Sequence, residues 1–256
     1  MNIQVISLAS AIERRKHIQN EFGKQALNFN FFDALTPNIA VPLAEKMGLN
    51  ISDEYLSPGE LACFMSHVSI WQKMINEDIP YLAIFEDDII LGEHANNFLS
   101  SGDWLKRSWG IIKLEKFNDR VLLSNISDKS PDSNRVLKKL CSKHYGCAGY
   151  IILLSAAKEL ISYLNDNKDL IPLDHIVFEK FIYHSTCQIL QLNPAICIQD
   201  SVYSGSYENF PSDLEETRRH RMRAHKRKGL SKIKYELLRI IDQLRLKIFG
   251  CDISFK

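Results

Sequence analysis

The sequence predicts an α/β protein with a basic helical extension at its C-terminal end, and three observations carry that expectation. Residues 2–8 and 28–33 read as strands around a helical stretch at 10–22, the opening of a nucleotide-binding α/β domain. Farther on, Tyr81-Leu82-Ala83-Ile84-Phe85 follows Pro80 and runs straight into Glu86-Asp87-Asp88, the pattern of a buried strand with carboxylates at its end. Between residues 218 and 247 stand twelve Lys and Arg against only Glu236 and Asp242, whereas residues 1–217 hold 19 Lys and Arg against 28 Asp and Glu. The chain thus divides into an acidic body at residues 1–210 and a basic amphipathic helical region at 211–256.

A length of 256 residues suffices for one large α/β domain with an appendage. Six cysteines without CxxC spacing read as free thiols of a reducing compartment. Residues 1–8 lack the charged lead and long apolar core of a signal peptide, and no apolar run approaches the roughly 20 residues of a membrane span. A cytoplasmic protein is therefore expected.

In chain order, the first strand ends on Ser7-Leu8, the first helix carries Arg14, Arg15 and Lys16, and the second strand ends on Asp33. No GxGxxG or GxxxxGK[ST] loop is present, which argues against a dinucleotide enzyme or a P-loop NTPase. Residues 36–57 contain prolines and read as an irregular connection able to line a site. Ser57-Pro58-Gly59-Glu60 has a Ser cap, Pro at the first helical position and Glu three residues after the cap. The helix it opens would run to about residue 76, with Leu61, Phe64, Met65, Val68 and Trp71 on one stripe. His67 lies one residue off that stripe, where a lone histidine is a packed side chain more often than a ligand.

Beyond the central strand come a helical stretch near 93–101, a strand at 109–114 and a short β-rich insertion at 118–144. Gly146-Cys147-Ala148-Gly149 leads into a buried strand at 150–154, small residues that let backbone approach a ligand or make a tight turn. Ser155 reads as the cap of a helix at 156–165, and Asp174 as the cap of another opened by Pro172-Leu173. Two short strands at 186–192 and 195–199 precede Asp200-Ser201-Val202-Tyr203-Ser204-Gly205-Ser206, a polar loop that closes over a phosphate or merely connects. From Leu214 the pattern is helical, with Ile233, Leu237, Ile240, Ile241, Leu244 and Ile248 on one stripe amid Lys and Arg. Such a helix suits an anionic membrane surface; packing on the body or on a second copy of the chain is the alternative.

The chemistry concentrates at Glu86-Asp87-Asp88. Three adjacent carboxylates repel one another unless a cation sits among them, and burying them unpaired is costly. They therefore face water as an ordinary loop start, or hold a hard divalent ion such as Mg²⁺ or Mn²⁺ that takes oxygen ligands and substrate phosphates. Ligands of open α/β sheets sit beyond the carboxyl ends of strands, where this cluster falls.

The assembled motifs resemble glycosyltransferase family 25, which contains bacterial lipooligosaccharide galactosyltransferases and collagen-modifying relatives. The matching pieces are Val5-Ile6-Ser7-Leu8 with Arg14-Arg15, Phe31-Phe32-Asp33-Ala34, Ser57-Pro58-Gly59-Glu60-Leu61-Ala62-Cys63 with Ser66-His67, and Ile84-Phe85-Glu86-Asp87-Asp88. Ile111-Ile112-Lys113-Leu114, Gly146 through Ile152 with Ala156-Ala157, and Pro172-Leu173-Asp174 complete a set that keeps the family order over residues 1–205. Two departures are mild: Ala62 stands where Gly commonly precedes the Cys, and Leu173 where Val is usual.

The resemblance implies a GT-A fold, a Rossmann-like domain that binds a nucleotide sugar. It implies that Glu86-Asp87-Asp88 is a version of the DxD element, with Mn²⁺ (or Mg²⁺) bridging to the donor diphosphate. It further implies UDP-galactose as donor, a β linkage of the 1,4 type, and a lipooligosaccharide sugar as acceptor at the cytoplasmic face of the inner membrane. Within that frame Asp88 and Glu86 are the metal ligands, and Glu86 or Asp87 reaches the ribose. Ser7, Leu8 and Arg14 meet the nucleoside and phosphates. Asp174 is the expected base, with Asp33 and Glu208 as alternatives and His67 and Asp200 as further substrate or metal contacts. A metal-dependent phosphohydrolase or nucleotidyltransferase, and a non-enzymatic anionic-lipid-binding protein, are the rival classes; the acidic body and the lack of a compact nucleic-acid motif exclude a nucleic-acid partner.

Overall fold

The computed structural model describes residues 1–52, 56–207, 209–210 and 230–256. Its main sheet has eight strands: β1 (Ile3–Ser7), β2 (Asn30–Asp33), β3 (Tyr81–Glu86), β5 (Trp109–Lys113), β8 (Leu123–Asp128), β9 (Val136–Leu140), β10 (Gly149–Leu153) and β11 (Gln188–Asn193). They lie in the order β2-β1-β3-β10-β5-β11-β9-β8. A second sheet joins β4 (Ile89–Leu91), β12 (Cys197–Gln199) and β6 (Glu115–Lys116), and a third pairs β7 (Arg120–Val121) with β13 (Cys251–Asp252).

The continuous apolar run of β3 follows from burial on both faces. Leu82 and Ile84 pack with α3 (Pro58–Asn76) and α5 (Leu154–Asp166), while Ala83 and Phe85 pack with Ile18 and Phe22 of α1 (Ile12–Lys24). Helix α3 begins as its sequence predicts: Ser57 Oγ accepts from Glu60 N at 3.3 Å and Glu60 Oε2 accepts from Ser57 N at 2.8 Å.

Several local expectations are corrected. Within residues 36–57, α2 (Pro37–Lys46) packs on α3; Pro37 opens it and Pro42 sits inside it. The 118–144 stretch is no mere insertion, because β9 pairs with β11 and brings β8 onto the edge of the main sheet. The 93–101 stretch yields only α4 (Asn96–Leu99). Helix α5 starts at Leu154 with Leu153 as N-cap, so Ser155 lies inside it. Asp174 belongs to the first turn of α6 (Leu173–His175), whose N-cap is Pro172. The 200–206 loop contains α7 (Asp200–Ser204), stopped by Gly205 at φ 72°. Of the basic region, α8 (Leu230–Phe249) is described; residues 211–229 and the side chain of Ile233 lie outside the described residues, as does Glu208.

Topology places the site. Strands β1, β2 and β3 run parallel, so Ser7, Asp33 and Glu86 share one edge of the sheet. Strand β10 runs antiparallel to β3 and to β5, which delivers the start of β10 and the end of β5 to that same edge.

Candidate active site

At this edge β3 ends on Glu86, and a two-residue turn carries Asp87 and Asp88 before β4. Strand β3 is short and buried, and pairing of its last amide with Ala148 O at 3.0 Å fixes where the carboxylates emerge. Their side chains are 24, 12 and 18% exposed, so each is held by protein yet open on one side. Arg14, one turn into α1, supplies the cation that adjacent carboxylates demand: its Nη1 lies 2.8 Å from Asp87 Oδ1 and 3.7 Å from Asp88 Oδ2. The guanidinium also stacks over Phe210. From β12, Gln199 Nε2 reaches Glu86 Oε2 and both oxygens of Asp88 at 3.4 Å.

One arginine does not balance this cluster. Burial, reinforced by Asp87 and Asp174, pushes the Glu86 carboxyl up to about 7. Burial and the Glu86 charge push Asp88 up to about 7 as well. Carboxylates crowded and desolvated in this way gain from a further cation.

A second charged group underlies the turn. Lys113 and Glu115 are fully buried and paired at 2.9 Å. Lys113 Nζ also donates to Gly146 O, and Ala148 N donates to Glu115 Oε2 at 3.0 Å. Gly146 is required here: its φ is 83°, and a Cβ would stand 2.5 Å from Glu115 Oε1. The amide of Gly146 in turn donates to Asp174 Oδ2 at 3.1 Å, while His175 N donates to Asp174 Oδ1 at 3.0 Å. Asp174 is therefore aimed by backbone, and its charge reaches Glu86 and Cys63.

His67 occupies the opposite wall. Tyr150 Oη accepts from Trp71 Nε1 at 3.1 Å and lies 2.8 Å from His67 Nδ1, which pins the ring. Nε2 then faces Glu86 Oε1 at 3.6 Å with no hydrogen-bond partner. Burial pushes His67 down to about 3, so the ring is neutral. Cys63, one turn earlier on α3, places Sγ 4.0 Å from the same Glu86 oxygen.

The structure thus brings Arg14, His67, Glu86, Asp87, Asp88 and Asp174 together. Ser7 and Leu8 lie beside them at the end of β1, where their carbonyls accept from Arg15 at 3.0 and 3.1 Å. Asp33 pairs with Arg15, and Arg15 packs over Phe31. Asp200 donates its amide to Asp88 O at 2.8 Å, but its carboxylate is taken by Asn209, at 3.2 and 3.1 Å. Sequence reasoning missed Cys63 and Gln199 as neighbours of the carboxylates. The i, i+4 spacing of Cys63 and His67 on a helix was a signal for the first; no local signal announced Gln199, which arrives through pairing of β12 with β4.

Comparison with known proteins places these residues in context. A model described as glycosyltransferase family 25 (LPS biosynthesis protein) matches residues 1–177. The lipooligosaccharide biosynthesis protein lic2B of Haemophilus influenzae is 36% identical over 259 residues, covering 96% of this chain and 95% of that protein. The lacto-N-neotetraose biosynthesis glycosyltransferase LgtB of Neisseria meningitidis serogroup B is 38% identical over 213 residues, covering 80% of this chain and 77% of its own. Among solved structures, a glycosyltransferase involved in glycosylation of the major capsid of PBCV-1 aligns with TM-score 0.43 at 10% identity, covering 86% of this chain and 97% of that one.

Proposed function

This chain belongs to glycosyltransferase family 25, and from that premise we propose that it transfers galactose from UDP-galactose, with inversion, onto a lipooligosaccharide sugar in a β-1,4 linkage. The observation that carries the proposal is the carboxylate cluster Glu86-Asp87-Asp88 at the end of β3, facing Asp174 across the Gly146 turn.

The donor set suits a divalent ion. It is all oxygen, partly open and short of positive charge, which fits Mn²⁺ or Mg²⁺ better than a soft metal. Asp88 and Glu86 would hold the ion, which when bound offsets charge developing on the UDP leaving group. Arg14 binds the donor phosphates from the other side of Asp87. The ends of β1 and β2, with Ser7 buried and Leu8 and Asp33 exposed, border the nucleoside. Asp174 accepts the proton of the acceptor hydroxyl at its carboxylate; the two amides that orient it leave its other lone pairs for that hydroxyl. His67 is neutral, and its Nε2 faces one side of Glu86 at 3.6 Å.

The exposed apolar residues Leu237, Ile240, Ile241, Leu244, Ile248 and Phe249 of α8, interspersed with Arg239, Arg245 and Lys247, support peripheral association with an anionic membrane at its cytoplasmic face. A second copy of the chain is the competing occupant of that stripe.

The test of function is transfer itself. Protein, Mn²⁺ and a lipooligosaccharide acceptor stripped of terminal galactose are mixed with UDP-galactose, UDP-glucose or UDP-N-acetylglucosamine, and the glycan is analysed by mass spectrometry. A hexose added only with UDP-galactose is expected. Release of phosphate or pyrophosphate with no sugar transferred would contradict the reading and favour the phosphohydrolase or nucleotidyltransferase class.

A further inference from the structure

We propose that Cys63 Sγ, His67 Nε2 and Glu86 Oε1 form a second cation site, selective for a borderline-soft ion such as Zn²⁺, which withdraws Glu86 from the donor-binding carboxylates and so switches transfer off. The switching half rests on the function proposed above; the binding half does not.

Three features on two rigid elements build the site. Cys63 and His67 are four residues apart on α3 and share one face of the helix, and Glu86 closes the triangle from the end of β3. The ligand atoms lie within 4.8 Å of one another, with 3.6 Å from His67 Nε2 and 4.0 Å from Cys63 Sγ to the same carboxylate oxygen. Zinc bonds of about 2.0 Å to N and O and about 2.3 Å to S put tetrahedral ligand atoms about 3.3–3.8 Å apart. Closing the remaining gap requires the Cys63 and Glu86 side chains to rotate.

The imidazole points to a ligand independently. His67 is fully buried, its Nε2 has no partner, and Tyr150 and Trp71 hold the ring so that this atom faces Glu86. A buried polar atom left unpaired is destabilising, and a bound cation would remove that cost. In the tautomer that carries its proton on Nδ1, beside Tyr150 Oη at 2.8 Å, His67 presents the Nε2 lone pair, the arrangement in which an outer hydrogen bond orients a histidine ligand.

Chemistry separates this site from its neighbour. Thiolate, imidazole and carboxylate together favour Zn²⁺, whereas Asp88 and Glu86 with a diphosphate favour Mn²⁺ or Mg²⁺. The thiol loses its proton to solvent on binding, so thiolate and carboxylate together neutralise the ion. Cys63 and Glu86 are half-buried, which leaves a fourth position for water and a route of entry. Glu86 cannot serve both ions with one geometry, so the two compete.

Co²⁺ is the spectroscopic probe. Titration of the intact chain with Co²⁺ is expected to give a thiolate-to-cobalt charge-transfer band at one equivalent, displaced by Zn²⁺. Cys63→Ser and Cys63→Ala are expected to remove the band and weaken Zn²⁺ binding about 100-fold or more, since even outer-shell partners are worth 10–100-fold. Replacing Cys141, Cys187 and Cys251 together is expected to leave the band in place. In the transfer assay, Zn²⁺ is expected to inhibit the wild type and to spare Cys63→Ser, each rate being taken relative to the same protein without Zn²⁺. No band in the wild type, or a band that survives Cys63→Ser, overturns the site. A Cys63-dependent band with transfer indifferent to Zn²⁺ overturns the switch. Failure to transfer any sugar, with the Cys63-dependent band present, supports the site and counts against the assigned function alone.

Discussion

Glu86, Asp87, Asp88 and Asp174 carry more negative charge than Arg14 can answer, and that imbalance has a measurable consequence. In the cation-free protein Glu86 and Asp88 keep their protons up to about 7, whereas unfolded carboxylates lose theirs near 4. The folded state therefore binds more protons between those values, so this cluster stabilises the fold fully at low pH and that contribution is lost as pH rises toward 7. Thermal midpoints without divalent ions should fall between about pH 5 and about pH 8, and Asp88→Asn should flatten the fall by removing one of the two titrating groups. Added Mn²⁺ should raise the midpoint most at the upper end, where the carboxylates are ionised. Asp174 acts at another step. Asp174→Asn keeps an oxygen for the Gly146 amide yet loses the base, and kcat should drop about 10²–10⁴-fold with the KM for UDP-galactose little changed. A loss confined to KM would reassign Asp174 to binding.

At the scale of elements, the sequence made some structure plain and hid the rest for identifiable reasons. The capping box at Ser57 and Glu60 and the apolar stripe behind it announced α3, and the unbroken apolar run of Tyr81 through Phe85 announced β3, because both signals are local. Carboxylates at the end of a buried strand likewise marked the site. Helix α2 was obscured by its two prolines, although Pro37 at the first position is a start signal and Pro42 forfeits one hydrogen bond without ending the helix. Gly205 read as a loop residue when it is the left-handed stop of α7. Joining of β8 and β9 to the main sheet, and delivery of Gln199 to Glu86, depend on pairings between distant segments that no local window displays. Lys113 and Glu115 are close in sequence, but their contacts with Gly146 O and Ala148 N are likewise long-range. Gly146→Ala tests that turn: the positive φ and the Cβ against Glu115 should cost about 1–3 kcal/mol in chemical denaturation, and kcat should fall as the amide that aims Asp174 shifts. Unchanged stability and rate would show that the turn tolerates a side chain.

Over the whole molecule, the chain's last segment is tied to the catalytic body. Strand β13 pairs with β7, Ile253 is buried, and Phe255 forms a bridge with Ala195. Arg120 Nη2 donates to Gly250 O at 2.6 Å and Nη1 to Lys247 O at 3.2 Å, fastening the end of α8. The end of the helix is thus anchored to the body while Leu237, Ile240, Ile241, Leu244 and Ile248 stay exposed. No helix among the described residues is long and apolar enough to cross a membrane. Vesicles containing anionic lipid should sediment the protein, neutral vesicles should not, and Ile241→Glu with Leu244→Glu should abolish sedimentation while transfer to a soluble acceptor persists. Sedimentation unaffected by these changes would remove α8 from the interface. The central claim, that the carboxylates ending β3 bind a divalent ion together with a UDP-sugar, is tested most directly by calorimetric titration of UDP-galactose into wild type and Asp88→Asn, with Mn²⁺ or with chelator. Binding that needs Mn²⁺ and is lost in Asp88→Asn, while UDP-N-acetylglucosamine gives no comparable heat, is the predicted result; binding indifferent to both the metal and the substitution would contradict it.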